Sequence, residues 1–279
     1  MKAIDIIFDA AAPVLRKISP TLLLDTESAR RRIAMWRHYR KFQAEIKRKL
    51  FPSNAPITVL TGPFKGIPYL DEIVFGCITP RWLGSYEWEL HAVIQQIMQR
   101  EYGTVIDVGS AEGFYAVGLP VKMPKCKLYA FDVDYISRGQ VARLAAMNHV
   151  QDRVVIGHYC SHADIGALSV PGDTLIVCDI EGDEMSLLDP AKAPSLRLVD
   201  ILVEVHDLKI NPIVERALYE RFSGTHVIQR IPEADRTAWL KENAQVVSAI
   251  PEDLRLRALS EGKHEQNPQC WLWMTVHGS

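Results

Sequence analysis

Val105-Ile106-Asp107-Val108-Gly109-Ser110-Ala111-Glu112-Gly113 decides how this chain is read. Its first residues have the apolar density of a buried strand, and the glycines at 109 and 113 open a helix behind it. A turn of this kind at the carboxyl edge of a parallel sheet is a nucleotide-type ligand turn. Glycine lets a ligand come close to the backbone, and helix-terminal N–H groups offer hydrogen bonds. The dinucleotide fingerprint requires Gly-x-Gly-x-x-Gly, whereas position 111 is Ala and the spacing here is Gly-x-x-x-Gly. Asp107 and Glu112 also put carboxylates around a turn that would have to hold a pyrophosphate. Like charges repel there; a ligand carrying an ammonium and a sulfonium suits them better.

The next strand supplies a second test, because a ribose-binding carboxylate belongs at its end, roughly 20 residues on. Ala130-Phe131-Asp132-Val133-Asp134 offers two. Asp132, at the strand tip, is the first candidate for the ribose hydroxyls and Asp134 the reserve. The competing reading of the glycine pair is an ordinary strand-to-helix turn, and the acidic strand end weighs against it.

Outward from the loop, strand and helix alternate. Short apolar runs near 104–108, 127–132, 153–158, 174–179 and 199–205 are separated by helical stretches, which argues for parallel strands joined by right-handed crossovers. Runs at 225–228 and 270–276 could finish the sheet, with helices near 233–244 and 251–261 between them. Upstream, Ser85 is placed to cap an amphipathic helix running to about Arg100, with Leu90, Val93, Ile94 and Ile97 on its apolar side. Residues 52–80 carry the β-like runs 57–60 and 73–75 among Gly62, Pro63, Gly66, Pro68 and Gly76, a small hairpin region. Before it lie two helical pieces broken near Pro20, the second capped by Asp25 or Thr26. That second helix is basic, from Arg30-Arg31-Arg32 to Lys47-Arg48-Lys49, with Ile33, Trp36, Phe42 and Ile46 turned inward. Its charges make either a solvated face or a dock for an acidic partner. The division expected is an accessory region over 1–82 and a ligand-binding domain over 83–279.

The chain has 279 residues, a net charge of −2 and 48% apolar residues, an ordinary globular composition with no general pull toward nucleic acid. Cys77, Cys126, Cys160, Cys178 and Cys270 are scattered and odd in number, so they read as free thiols with no zinc site. No apolar run approaches the ~20 residues a membrane span needs. A cytoplasmic location follows as the expectation.

From about 103 to 206 the chain resembles the FkbM-type class I methyltransferases. The matching stretches are Ile106-Asp107-Val108-Gly109-Ser110-Ala111-Glu112-Gly113-Phe114-Tyr115, Ala130-Phe131-Asp132, Cys178-Asp179-Ile180-Glu181-Gly182-Asp183-Glu184 and Ile201-Leu202-Val203-Glu204-Val205-His206. The last two are more specific than the glycine loop. The resemblance implies a Rossmann-like α/β sheet of seven strands with the last-threaded strand antiparallel, and S-adenosylmethionine as cofactor. It also implies a hydroxyl of a sugar or secondary metabolite as acceptor. Gly84-Ser85-Tyr86-Glu87 looks like the segment that covers the cofactor in such proteins. Pro120 departs from the pattern by shortening the helix after the loop, and residues 1–80 lie outside the match.

The cofactor would then touch Asp107, Gly109, Ser110, Ala111, Glu112, Gly113, Tyr115, Asp132, Asp134, Asp179, Tyr86 and Glu87, with Ser161 and His162 after the third strand beside adenine. Methyl transfer is an in-line displacement, so alignment and exclusion of water supply most of the acceleration, and an alcohol acceptor gains from a general base or a metal. His206 is the leading general base, oriented by Glu204 or Glu181, with a structural histidine as the competing reading. Asp179 and Glu181 could contact the methionyl ammonium or the acceptor. The same acids could hold Mg²⁺, but no residue is assigned to a metal. The expected partner is a small-molecule acceptor, or the cofactor alone if the chemistry is alkyl transfer or ring closure; a homodimer is left open. An RNA methyltransferase using the basic helix is a weaker alternative, because no Asn-Pro-Pro-Tyr-type motif follows the fourth strand.

Overall fold

The computed structural model describes residues 39–52, 55–73, 76–207, 212–261 and 269–278. Its strands fall where the apolar runs place them: β1 Thr104–Val108, β2 Lys127–Phe131, β3 Val154–Gly157, β4 Thr174–Cys178, β5 Asp200–Val205, β6 His226–Pro232 and β7 Cys270–Val276. Every residue of β4 and β5 is buried, because these strands are covered on both faces and cannot alternate with polar positions. The sheet order is β3-β2-β1-β4-β5-β7-β6. The first five strands are parallel, and β7 inserts antiparallel between β5 and β6. This is the Rossmann-like sheet with a reversed last strand that the resemblance implies. Strand order reverses between β1 and β4, and the crevice at the carboxyl ends of those strands is where ligands bind in open α/β sheets.

Successive residues of each strand serve opposite cores. On one face Val105, Leu128, Leu175, Val177, Trp271 and Trp273 pack with the helices His91–Arg100 and Phe114–Lys122. On the other, Ile106, Ile176, Ile201, Val203 and Leu272 meet the helix Ile213–Phe222 through Val214, Leu218 and Phe222. The first core runs without a break across residue 82, since Phe51, Val59, Phe64, Tyr69 and Trp82 belong to it. A third cluster joins the helix over 39–50 to the C-terminal part: Phe42 and Ile46 are buried against Trp239, Val247, Ile250 and Leu259. Phe42 and Ile46 thus face inward as expected, while Ile33, Trp36, Arg30-Arg31-Arg32 and the caps Asp25 and Thr26 lie outside the described residues. All five cysteines are free and buried. None of the described helices is long and apolar enough to cross a membrane.

One local expectation needs correction. Ser85 does not cap a helix: its hydroxyl turns to the Pro80 carbonyl at 3.5 Å, and the α-helix starts only at His91 after a 3₁₀ turn over Trp88–Leu90. The left-handed Glu87, φ +44°, breaks the run. The hairpin region closes through one bridge, Thr58 with Pro68, supported by Val59 N–H to Ile67 and Tyr69 N–H to Ile57. Pro120 sits inside a nine-residue helix that ends at Lys122, so the helix is short as its sequence suggests.

Candidate active site

The loop after β1 alternates into the left-handed region at Gly109 (φ +84°), Ala111 (+44°) and Gly113 (+103°). Position 109 admits no side chain, because a Cβ there would lie 1.6 Å from the Asp179 carbonyl oxygen. The carboxyl end of β4 is therefore locked onto the loop, and Asp179 N–H also donates to the Val108 carbonyl at 2.9 Å. Gly113 forms the N-cap of the following helix. Ala111 has a Cβ and so holds its conformation at a cost of about 1 kcal/mol; its N–H is secured by Asp132 Oδ2 at 2.8 Å.

Within this loop Asp107 Oδ2 and Ser110 Oγ are buried without a hydrogen-bond partner. Burial, reinforced by the nearby Asp132 and Glu112, pushes the Asp107 carboxyl up to about 8. A buried acid of this kind returns to its ionised form when positive charge arrives beside it. The orphaned acid and hydroxyl therefore fit a ligand that is polar and cationic.

Asp132 accepts from two backbone N–H groups, Ala111 at 2.8 Å and Asp134 at 2.7 Å. Burial raises its pKa while those two N–H groups oppose the rise. It stands at the tip of β2, as its strand predicts, and braces the β1 loop. Asp134 instead caps the helix Tyr135–Met147, accepting from Ile136 and Ser137 N–H. Ser161 likewise caps His162–Leu168 in a reciprocal box with Asp164. The Nε2 atom of His162 lies 3.1 Å from the Ser186 carbonyl. All three polar groups have local structural employment.

Glu112 is placed differently from the reading that set it around the ligand turn. It is buried, accepts from Tyr69 Oη at 2.8 Å and forms an ion pair with Arg81, whose guanidinium lies 3.8 Å from the centroid of the Tyr86 ring. Its charge is matched by a residue of the segment outside the family resemblance. The argument for a cationic ligand thus rests on Asp107 rather than on Glu112. Glu87 is buried beside these groups, accepts from Tyr115 Oη at 2.5 Å, and donates its N–H to Glu261 at 2.9 Å. Tyr86 packs edge-on against Phe114, and burial pushes its phenol well above the ordinary range.

At the ends of β4 and β5 the structure brings together the acids and the histidine expected there. His206 Nδ1 is 2.7 Å from Glu184 Oε1, and that oxygen also receives Gly182 N–H at 2.9 Å. Glu184 is fully buried and orients the imidazole, in place of the expected Glu204 or Glu181. Those two lie on the other side of the ring: Nε2 is 3.5 Å from Glu181, 3.6 Å from Asp179 and 3.7 Å from Glu204. Burial works against the charged imidazole, but the bond to Glu184 and the surrounding carboxylates outweigh it and raise the pKa of His206. Glu184 opens the short helix Glu184–Leu187, and only the fold turns it back toward β5. Trp271 of β7 is a second residue that the sequence did not single out. It pairs in register with Glu204, stacks edge-on to Tyr115 at 6.5 Å, and leaves its indole N–H buried without a partner.

The chain matches no protein-family model and no curated protein sequence. Solved structures with a similar outline include the O-methyltransferase TomG from Streptomyces achromogenes in complex with S-adenosylmethionine (12% identity, TM-score 0.46, 72% of this chain and 87% of that one). Others are an O-methyltransferase from Bacillus cereus in complex with S-adenosylhomocysteine (10%, 0.43, 65% and 77%) and a ribosomal protein L11 methylase from Lactobacillus delbrueckii subsp. bulgaricus (16%, 0.44, 69% and 79%). At these values the likeness is one of general outline.

Proposed function

We propose that this chain is an S-adenosylmethionine-dependent methyltransferase acting on a hydroxyl group of a sugar or other small molecule, in the manner of the FkbM-type enzymes it resembles. The observation that carries the reading is that an orphaned Asp107 and Ser110 at the end of β1 and a Glu184-held His206 beyond the end of β5 stand at the same carboxyl edge of the neighbouring parallel strands β1, β4 and β5. The first suits a cationic nucleoside; the second suits an acceptor that must lose a proton.

S-adenosylmethionine supplies an electrophilic methyl group on a sulfonium. Asp107 and Ser110 would hold its polar end, and Asp132, at the tip of β2, would take the ribose hydroxyls. Tyr86, Tyr115 and Glu87, packed together beside Phe114, would keep water from the cofactor and so strengthen the electrostatic contacts around it. The acceptor hydroxyl lies at the cluster of Asp179, Glu181, Glu204 and His206, with His206 as its central group. As the methyl group passed from the sulfonium to the acceptor oxygen, leaving a neutral thioether, the His206 cluster would take the hydroxyl proton and hand it on to solvent. Alignment supplies most of the acceleration.

The test is incubation with methyl-labelled S-adenosylmethionine and a panel of sugars and hydroxylated small molecules. Label should move to an acceptor with S-adenosylhomocysteine as co-product, and His206→Ala should lower the rate about 10²–10⁴-fold, the usual worth of an acid–base group. Methylthioadenosine released without any acceptor would overturn the reading in favour of chemistry on the cofactor itself.

A further inference from the structure

The histidine at the end of β5 has surroundings that a simple general base does not need. A base must keep one ring nitrogen open toward the proton it takes. Here Nδ1 is tied to Glu184, and Nε2, the only nitrogen left, is ringed at 3.5–3.7 Å by oxygens of Asp179, Glu181 and Glu204. Four carboxyl groups therefore share one imidazole. A set of like charges drawn around a lone pair favours a cation at its centre.

The imidazole makes the second, independent point. Its side chain is nine-tenths buried, with 10% exposure, and Nε2 has no hydrogen-bond partner although it aims into the acidic ring. The bond from Nδ1–H to a buried carboxylate fixes Nε2 as the nitrogen that faces the acidic ring, so an arriving ion would bind there in exchange for any proton that nitrogen carries. Such a bond is the support a metal-ligating histidine characteristically receives. Donor atoms of Asp179, Glu181 and His206 all lie within 4.8 Å of one another. Around an octahedral ion with bonds of about 2.1 Å, neighbouring ligands are about 3 Å apart and opposed ones about 4.2 Å. The 3.5–3.7 Å separations found here are wider than adjacent octahedral positions by about half an ångström, a distance the carboxylate side chains can close on an arriving ion.

We infer that Asp179, Glu181 and the Nε2 atom of His206, with Glu204 beside them, form a binding site for one divalent first-row metal ion. Carboxylate oxygens suit Mg²⁺ and Mn²⁺ and imidazole suits the later ions; with oxygen donors in the majority here, Mn²⁺ is the first-row ion chosen as probe. The inference deepens the proposed function, on which it rests for the acceptor's position. An ion at this point makes the acceptor hydroxyl more acidic, and the imidazole's part becomes to hold the ion. Glu181 is well placed for such a role and for its test. Its side chain is 84% exposed at the mouth of the cluster, and the backbone beneath it is left-handed at φ +57°.

The experiment uses the full chain, stripped with a chelator and titrated with MnCl₂ alone, with free Mn²⁺ followed by electron paramagnetic resonance. One Mn²⁺ per chain should bind and raise the melting temperature. Glu181→Gln, an exposed and isosteric change, should weaken binding by at least about tenfold, the loss seen even for supporting residues around metals. Asp179→Asn should act in the same direction. No saturable uptake, or uptake that both variants leave unchanged, would overturn the site. Titration of the same metal-free protein with S-adenosylhomocysteine separates the two claims. Nucleoside binding without Mn²⁺ uptake refutes the ion alone, and Mn²⁺ uptake without nucleoside binding refutes the methyltransferase reading alone.

Discussion

Asp107 concentrates the electrostatics of the cofactor loop in one side chain. Its folded pKa, about 8, lies above that of an ordinary carboxyl because burial disfavours the charge. The folded state therefore binds the proton more tightly than the unfolded state, so stability falls as pH rises from the unfolded pKa toward the folded one. Urea midpoints measured between about pH 5 and pH 8 should decline for the wild type, and the decline should be smaller in Asp107→Asn. A steeper decline in the variant would show that the acid is not buried uncharged. At this scale the sequence was informative where a residue's position follows from its strand: Asp107, Asp132, Asp179 and Glu204 all stand at the carboxyl edge of the sheet. It was uninformative about pairing. Nothing in the spacing of Glu184 and His206, or of Arg81 and Glu112, says that they meet, because both contacts are made by tertiary packing between separate segments.

At the level of elements, the β1 loop is held in place by the end of β4. Gly109→Ala would drive a Cβ into the Asp179 carbonyl and hold a left-handed φ without glycine's freedom. A loss of at least about 2 kcal/mol in unfolding free energy is expected, together with loss of nucleoside binding; a neutral change by urea titration would contradict the packing described. The strands were legible because parallel strands covered on both faces must be continuous apolar runs. The stretch from 79 to 90 was not, since a left-handed Glu87 and a 3₁₀ turn interrupt an otherwise helical apolar pattern. That same stretch supplies Arg81. Replacing it with Met leaves Glu112 buried with its charge uncompensated, which should destabilise the fold by about 3–5 kcal/mol. Glu112→Gln in the same chain should recover a large part of that loss, as read by thermal unfolding.

Considered as a whole, the molecule places its acidic groups unevenly. The net charge is only −2, yet Glu87, Asp107, Asp179, Glu181, Glu184 and Glu204 gather at one edge of the sheet. The β1 loop stands at that edge with Asp107 rather than Glu112 as its orphaned acid and Gly109 as the point where the end of β4 locks it. Titration of the metal-free full chain with S-adenosylhomocysteine by calorimetry tests the cofactor reading of this loop most directly. One equivalent should bind, and Asp132→Ala, which removes the carboxyl from the tip of β2, should weaken it at least about tenfold, as expected when a hydrogen bond to a charged group is lost. Absence of binding to the folded wild type, or binding that Asp132→Ala leaves untouched, would contradict the assignment of this loop to the cofactor.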